Sequence, residues 1–256
     1  MSSILYTITV FDPGAVPNIL LDLAPYIQKA GWKIDIVALQ APPKDQSAVK
    51  RAEEMGIQVH SLGVPSWNIP GAIGKLRRFI RKGRWNLVHS HLGRADLVTS
   101  WAKPKNLPQV TTFHSVRRNF HPLTRWGYQL TDGLVAHRTG VSQACLDSFY
   151  GVHGLKSPHS VIYNPVSLER ITSNLTKTQA RRVLGLGDGP VIVQVGRMIP
   201  VKGHSLTLHA FSQLVKKHPK AQLIFVGSGP LEPSLREESE FLGIVGKIVW
   251  TGFISP

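Results

Sequence analysis

Apolar runs of strand length alternate with helix-period stretches along almost the whole 256-residue chain. Runs at residues 4–10, 33–39, 58–62, 87–90, 110–113, 134–137 and 160–162 have the length and bulk of buried strands. Between most of them lie stretches with apolar residues at i, i+3 and i+4, such as Ile19, Leu20, Leu23 and Ile27. Repeated strand–helix alternation builds a parallel sheet with helices on both faces, so the expected class is α/β and doubly wound. Asn164-Pro165 ends this run. Residues 167–189 hold a short helical piece at 177–184 and then Gly185, Gly187, Gly189 and Pro190, which reads as a connection. A second alternating unit follows, with strands at 191–195, 222–226 and 247–250 and a helix at 231–242. The predicted organisation is therefore a domain at 1–166, a connection at 167–189 and a second domain at 190–256.

The start of that second domain carries the most specific chemistry. The apolar run 191–195 ends on Gly196 and is followed by Arg197 and Lys202. Gly203 and Ser205 then open a helical pattern. A helix N-terminus presents unpaired N–H groups and the positive end of its dipole. Arg adds a planar fork for phosphate oxygens and Lys a mobile point charge. Together they make a socket for a diphosphate. If the diphosphate belongs to a nucleotide, the same charges stabilise it as a leaving group, which points to transfer from an activated donor.

GRMIPVKGH, then VGSGPL, then WTGF resemble the donor-domain signature of retaining GT-B glycosyltransferases of family 4, the glycosyl transferases group 1 type. Each piece alone is a common pattern; their order and spacing, each after an apolar run, carry the resemblance. Upstream, GAVPNILLDLAPYIQKAGWKIDIVAL resembles the family's opening Gly-rich turn, helix and second strand, with Gly14-Ala15 in place of Gly-Gly. WNLVHSH, QVTTFHSV, GVSQACLDSF and VIYNPV fall where the family has comparable segments. The resemblance covers essentially the whole chain. It implies a GT-B fold of two Rossmann-like domains, the first binding the acceptor and the second the nucleotide-sugar donor. It also implies transfer with retention of configuration, without a cofactor or an essential metal. The family's next segments carry a pair of glutamates that hold the donor. The chain reaches Pro256 without them, so the second domain is expected to be incomplete and the chain a fragment, a truncated frame or one completed by another chain. A non-catalytic remnant that keeps the fold is the rival expectation.

Each candidate residue has a bland reading beside its functional one. Arg197 and Lys202 are phosphate ligands or ordinary surface cations; Gly196 and Gly203 serve close backbone approach and helix entry. Gly14 contacts the donor phosphate or closes the Asp12-Pro13-Gly14 turn. His114 ends the run QVTTFH, at the position where a doubly wound sheet faces its crevice. By resemblance it takes the catalytic role, bonding near the transferred sugar or reacting phosphate; otherwise it is a half-buried histidine. His89 and His91 alternate on one strand face, but no third metal ligand is identifiable. Gly227, Ser228 and Gly229 make an incomplete dinucleotide fingerprint, read as a loop over the nucleotide base. Glu232 and Glu237 meet a ribose or line a solvated helix face.

Composition bounds the setting. Cys145 is the single cysteine, so no intramolecular disulfide forms and a reduced, cytoplasmic setting is expected. MSSILYTITVFDPG lacks a basic start and reads as a first strand, and the Asn174-Leu175-Thr176 sequon reads as chance. No apolar run approaches the roughly 20 residues that span a bilayer. The net charge is +15, and no acidic residue lies between Glu54 and Asp96 or between Asp96 and Asp132. Such a field attracts polyanions. No nucleic-acid motif is present, so an anionic membrane surface is the expected partner, met peripherally at the inner face. Residues 73–85 read as a packed helix with Leu76, Phe79 and Ile80 on one face, whose Arg77, Arg78, Arg81 and Lys82 help bring the protein to lipid, and the aromatic-basic segment 119–126, with Arg117, Arg118 and Arg125, is expected to border the acceptor pocket. Taken with this charge, the family resemblance implies as acceptor a glycan or lipid-linked sugar of cell-surface polysaccharide or lipopolysaccharide synthesis.

Overall fold

The computed structural model describes residues 2–151, 154–168 and 172–254. They form two compact units, Met1–Ser167 and Leu168–Pro256. The segment 167–189, read as a connection, thus falls almost wholly within the second unit. There Arg181 donates to the Gly189 carbonyl at 2.9 Å, and the Gly187 N–H donates to the Gln222 side chain at 2.7 Å.

The first unit is built on seven parallel strands: β1 (Ser2–Ile8), β2 (Trp32–Ala38), β3 (Gln58–Ser61), β4 (Leu87–His91), β5 (Gln109–Phe113), β6 (His137–Gly140) and β7 (His159–Val161). Their order is β3-β2-β1-β4-β5-β6-β7, which reverses direction between β1 and β4. Six helices connect them: α1 (Ala15–Lys29), α2 (Ser47–Glu54), α3 (Ile69–Lys82), α4 (Gly93–Ala102), α5 (Pro122–Leu130) and α6 (Gln143–Tyr150). Alternate strand residues feed the two faces. Ile4, Tyr6 and Ile8 pack with Leu20, Leu21 and Ala24 of α1, whereas Leu5 and Val88 pack with Leu76 of α3 and Val98 of α4. Helix α3 shows why such segments fold locally. The Asn68 side chain caps it by accepting from the Gly71 N–H at 2.8 Å, Ala72, Leu76 and Ile80 fall on one buried stripe, and Gly83 ends it.

One expected strand is displaced. Residues 134–137 were read as a strand from LVAH, but Asp132–Leu134 is a 3-10 turn and β6 is His137–Gly140, paired from Val110↔His137 onward. The strand looks polar because it carries Arg138, which is fully buried. Arg138 donates to Asp132 at 3.3 Å and to Ser157 at 3.1 Å, and lies 5.5 Å from the Phe113 ring centroid. A buried charge held this way replaces the apolar residue that pattern reading looks for.

The second unit has β8 (Val191–Val195), β9 (Gln222–Val226) and β10 (Ile248–Gly252), parallel and ordered β10-β9-β8. Its helices are α7 (Lys177–Val183), α8 (His204–Lys217) and α9 (Glu232–Phe241). Leu208 and Phe211 of α8, Leu235 of α9 and Leu223 and Phe225 of β9 share one core with Met198. Both units are thus parallel α/β layers of the Rossmann-like kind, seven strands in one and three described strands in the other.

Candidate functional site

In the second unit, β8 delivers the chain to Gly196, whose φ of 153° favours glycine. Arg197 follows and is exposed. A 3-10 turn, Pro200–Lys202, then leads into Gly203, the left-handed N-cap of α8 at φ 67°. The Lys202 stem passes close to Gly196; a Cβ built there would lie 3.6 Å from the Lys202 Cδ. Gln194 pins the turn by donating to the Lys202 carbonyl at 2.8 Å. Neither Arg197 nor Lys202 has an ion pair among the described residues. Two uncompensated cations therefore flank the free N–H groups that open a 14-residue helix. This arrangement can accept a multivalent anion.

Gly227, Ser228 and Gly229 are held directly against that loop. The Met198 N–H donates to the Ser228 carbonyl at 3.0 Å, and the Gly196 N–H to the Val226 carbonyl at 2.9 Å. A Cβ on Gly227 would sit 2.2 Å from the Gly196 carbonyl oxygen, and one on Gly229 2.5 Å from that of Met198. These glycines let two backbones touch, so they shape the cation-bearing loop from behind. Glu232 pairs with Arg236 at 2.8 Å. His204, at the first turn of α8, is buried, with no hydrogen-bond partner on either ring nitrogen. Burial, and then the nearby Lys202 charge, lower its pKa.

In the first unit, His114 and Gly14 sit at the carboxyl end of the sheet. Gly14 is the N-cap of α1 in an extended conformation, and its N–H donates to the Asp12 carbonyl at 2.7 Å. Only the Asp12 side chain, 2.9 Å from a built Cβ, crowds it. His114 immediately follows β5. Its Nε2 lies 2.9 Å from His91 Nδ1, so one ring donates to the other. His89 Nε2 bonds Thr112 Oγ1 at 2.7 Å, which bonds Thr139 Oγ1 at 2.7 Å. Burial holds the His114 ring down to about 4 and His89 to about 3, and pushes His91 well below its ordinary value. All three rings are neutral at neutral pH. His114 Nδ1 and His91 Nε2 are buried without partners. The shared proton makes these two nitrogens opposites: when His91 donates, His114 Nδ1 carries hydrogen and His91 Nε2 accepts, and the reverse holds when His114 donates. His91, His114 and Thr112 border a cavity of about 420 Å³ with apolar walls.

Sequence reasoning passed over three features here. For His91 the sequence offers a metal pair with His89 or, in preference, a structural or cleft-lining role, but not the contact to His114, which depends on β4–β5 pairing. Leu92, between β4 and α4, has φ 73°, the one positive φ of a non-glycine among the described residues. Such strain gathers at ligand sites and lies here at the sheet's reversal point. His204 was quoted only within a motif. Among the described residues no three His, Cys, Asp or Glu side chains form a metal-binding group.

Comparison with known proteins bears on this geometry. Residues 16–170 match Glycosyltransferase Family 4, and residues 176–256 match Glycosyl transferases group 1. A GDP-mannose-dependent alpha-(1-6)-phosphatidylinositol monomannoside mannosyltransferase of Mycolicibacterium smegmatis is 33% identical over 75 residues, 29% of this chain and 20% of that protein. The GDP-mannose-dependent monoacylated alpha-(1-6)-phosphatidylinositol monomannoside mannosyltransferase of Corynebacterium glutamicum is 30% identical over 124 residues, 46% of this chain and 32% of that protein. The matched stretches therefore span less than a third of these relatives. Alr3699/HepE of Anabaena, solved in complex with UDP and glucose, shares the fold: TM-score 0.80, 20% identity, over 100% of this chain and 70% of that one. The fold is that of GT-B glycosyltransferases, and with the first match covering more than half its length, the chain belongs to Glycosyltransferase Family 4.

Proposed function

We propose that this chain transfers a hexosyl group from a nucleotide sugar to a glycan or lipid-linked acceptor, with retention of configuration. The observation that carries the reading is the pair of unpaired cations, Arg197 and Lys202, at the N-terminus of α8. In this reading the donor diphosphate rests on Arg197, Lys202 and the free N–H groups after Gly203. The Gly196 turn admits it closely, and the Gly227-Ser228-Gly229 loop supports the nucleotide. As the sugar–oxygen bond breaks, the leaving diphosphate gains charge where these donors already point. The first unit takes the acceptor. His114 presents Nδ1 to a sugar hydroxyl, and Gly14 leaves the backbone after β1 open to close approach by a ligand. His91 positions the His114 ring through their shared hydrogen bond.

The names of relatives support the substrate class: mannosyltransferases acting on phosphatidylinositol mannosides, and an alpha-monoglucosyldiacylglycerol synthase. A lipid-linked acceptor of cell-surface glycan synthesis, met peripherally at the inner membrane face from the cytoplasm, fits them. Among the described residues no helix is long and apolar enough to cross a membrane.

The test is a transfer assay with UDP- and GDP-sugars against lipid-linked and free glycan acceptors, with product configuration read by NMR. The expected product keeps the donor's anomeric configuration. Inverted product would overturn retention. Nucleotide binding without any turnover would favour a binding-only chain.

A further inference from the structure

The loop between β5 and α5, residues 114–121, starts at His114 and is braced at several points. The Arg117 N–H donates to Ser148 Oγ at 2.9 Å, and that hydroxyl donates to the Cys145 carbonyl of α6 at 2.7 Å. Asn119 donates to Ser115 Oγ at 2.7 Å. Arg125 of α5 reaches back, donating Nε to the Phe120 carbonyl at 2.6 Å and Nη2 to the Arg118 carbonyl at 3.0 Å. The Phe120 ring packs edge-on against Tyr128 and Phe149, with centroids 5.7 and 5.5 Å away. A loop held in this way presents its side chains from a fixed backbone.

What it presents is charge of one sign. Val116, Arg117, Arg118, Arg125 and Ser148 line an open cavity of about 490 Å³, and no carboxylate is among them. The Arg117 and Arg118 guanidinium groups and Arg125 Nη1 have no hydrogen bond or ion pair among the described residues. Asp147, next to Ser148, instead accepts from Gln143 at 2.7 Å. From residue 97 to residue 131 the sequence holds no Asp or Glu. Arg117 and Arg125 are half-buried, so these cations do not simply spread into water. Three mutually repelling guanidinium groups on a braced loop weaken the fold unless an anion joins them, and local conflict of this kind marks ligand sites. Arginine forks match the oxygens of a phosphoryl group bidentately, and a dianion offsets two of the three charges.

We propose that Arg117, Arg118 and Arg125 form a subsite for a phosphoryl group carried by the acceptor. His114 stands three residues before Arg117 at the carboxyl end of β5, so a phosphate held here fixes one end of an acceptor whose hydroxyl lies toward His114. The proposal rests on the acceptor reading above and narrows it. The acceptor is a phosphorylated sugar or a sugar on a lipid phosphate, supplied by a reaction that transfers phosphoryl or phosphosugar groups. The nucleotide diphosphate is left to the second unit.

The test is calorimetric titration of the full chain carrying Arg197→Ala and Lys202→Ala, which disables the other anion socket and needs no turnover. Inorganic phosphate should bind at physiological ionic strength, and acetate, a monoanion, should not compete. Arg117→Gln and Arg118→Gln should each weaken phosphate binding roughly tenfold, the effect of losing one charge-assisted hydrogen bond. Lys29→Gln with Lys50→Gln removes two charges from α1 and α2 and should leave binding unchanged. Circular dichroism of each variant confirms folding. Glucose 6-phosphate and a short-chain phosphatidylglycerol below its micelle concentration separate the two sources of phosphate. Whichever binds tighter names the acceptor class; binding by either upholds the subsite and binding by neither overturns it. In the transfer assay, Arg118→Gln should raise the KM for a phosphorylated acceptor and leave the donor KM unchanged. No phosphate binding, equal loss in the lysine variant, or full competition by acetate would each overturn the proposal. Nucleotide titration into the chain with Arg197 and Lys202 intact reports on the transferase reading separately, so the two failures are distinguishable.

Discussion

At the residue scale, His114 and His91 are joined by a direct ring-to-ring hydrogen bond. Their 2.9 Å contact leaves one unpartnered nitrogen on each ring. His114→Ala should reduce turnover far more than stability. His91→Ala should lower kcat with little change in donor KM, because it frees the His114 ring without removing it. Near-normal turnover in both variants would assign the pair to packing alone.

The same histidines set an acid limit. In the unfolded chain each titrates near 6.5. In the fold His114 is held at about 4 and His89 at about 3, so the unfolded state binds more protons in between. Their stability contribution is complete above about 6.5 and is lost as pH falls toward these folded values. Asp96 opposes this. Burial raises its carboxyl to about 6, so its contribution is present in acid and lost as pH rises through that value. Thermal unfolding from pH 4 to 7 should show stability rising with pH, with a shallower rise in His89→Gln and a steeper one in Asp96→Asn. Superimposable profiles would contradict the assignment. Gly227 makes a further residue-scale case. Its φ of 132° and the Gly196 carbonyl 2.2 Å from a built Cβ mean that Gly227→Ala must move the cation-bearing loop. Backbone strain of this kind costs about 1–3 kcal/mol. Nucleotide affinity should fall along with stability, and an unchanged titration would separate the two loops.

Elements show which features a sequence exposes. Strands of a parallel sheet read as apolar runs, so β8 and β9 lie at the expected positions, although Val193 and Val195 of β8 are exposed, and β1 through β5 lie within one or two residues at each end. Strand β6 was placed three residues early because Arg138 makes a core strand look like a turn. The apolar stripe of α3 was legible at Leu76 and Ile80, whereas its start at Ile69 and its Asn68 cap were not read. Leu76 is fully buried within it, so Leu76→Ala should cost about 2–5 kcal/mol in chemical denaturation. A cost near zero would mean that α3 is not packed on the sheet as described. The Gly196-to-Gly203 turn and the helix it opens were legible because their parts are contiguous in sequence. The His91–His114 contact, the strain at Leu92 and the burial of His204 were not, since each arises from neighbours brought by the fold.

At the scale of the whole molecule, two α/β units that match two different family models offer different groups. The first offers neutral buried histidines and an arginine-lined cavity; the second offers a cationic loop shaped by a glycine-rich neighbour. The central claim rests on that loop. Calorimetric titration of UDP and GDP into the wild-type chain and into Arg197→Ala and Lys202→Ala tests it most directly. The wild-type chain should bind one of the two nucleotides. Each substitution should weaken binding, and in the turnover assay should cost about 2.7–4 kcal/mol at the transition state. Unchanged affinity in both variants would contradict the account.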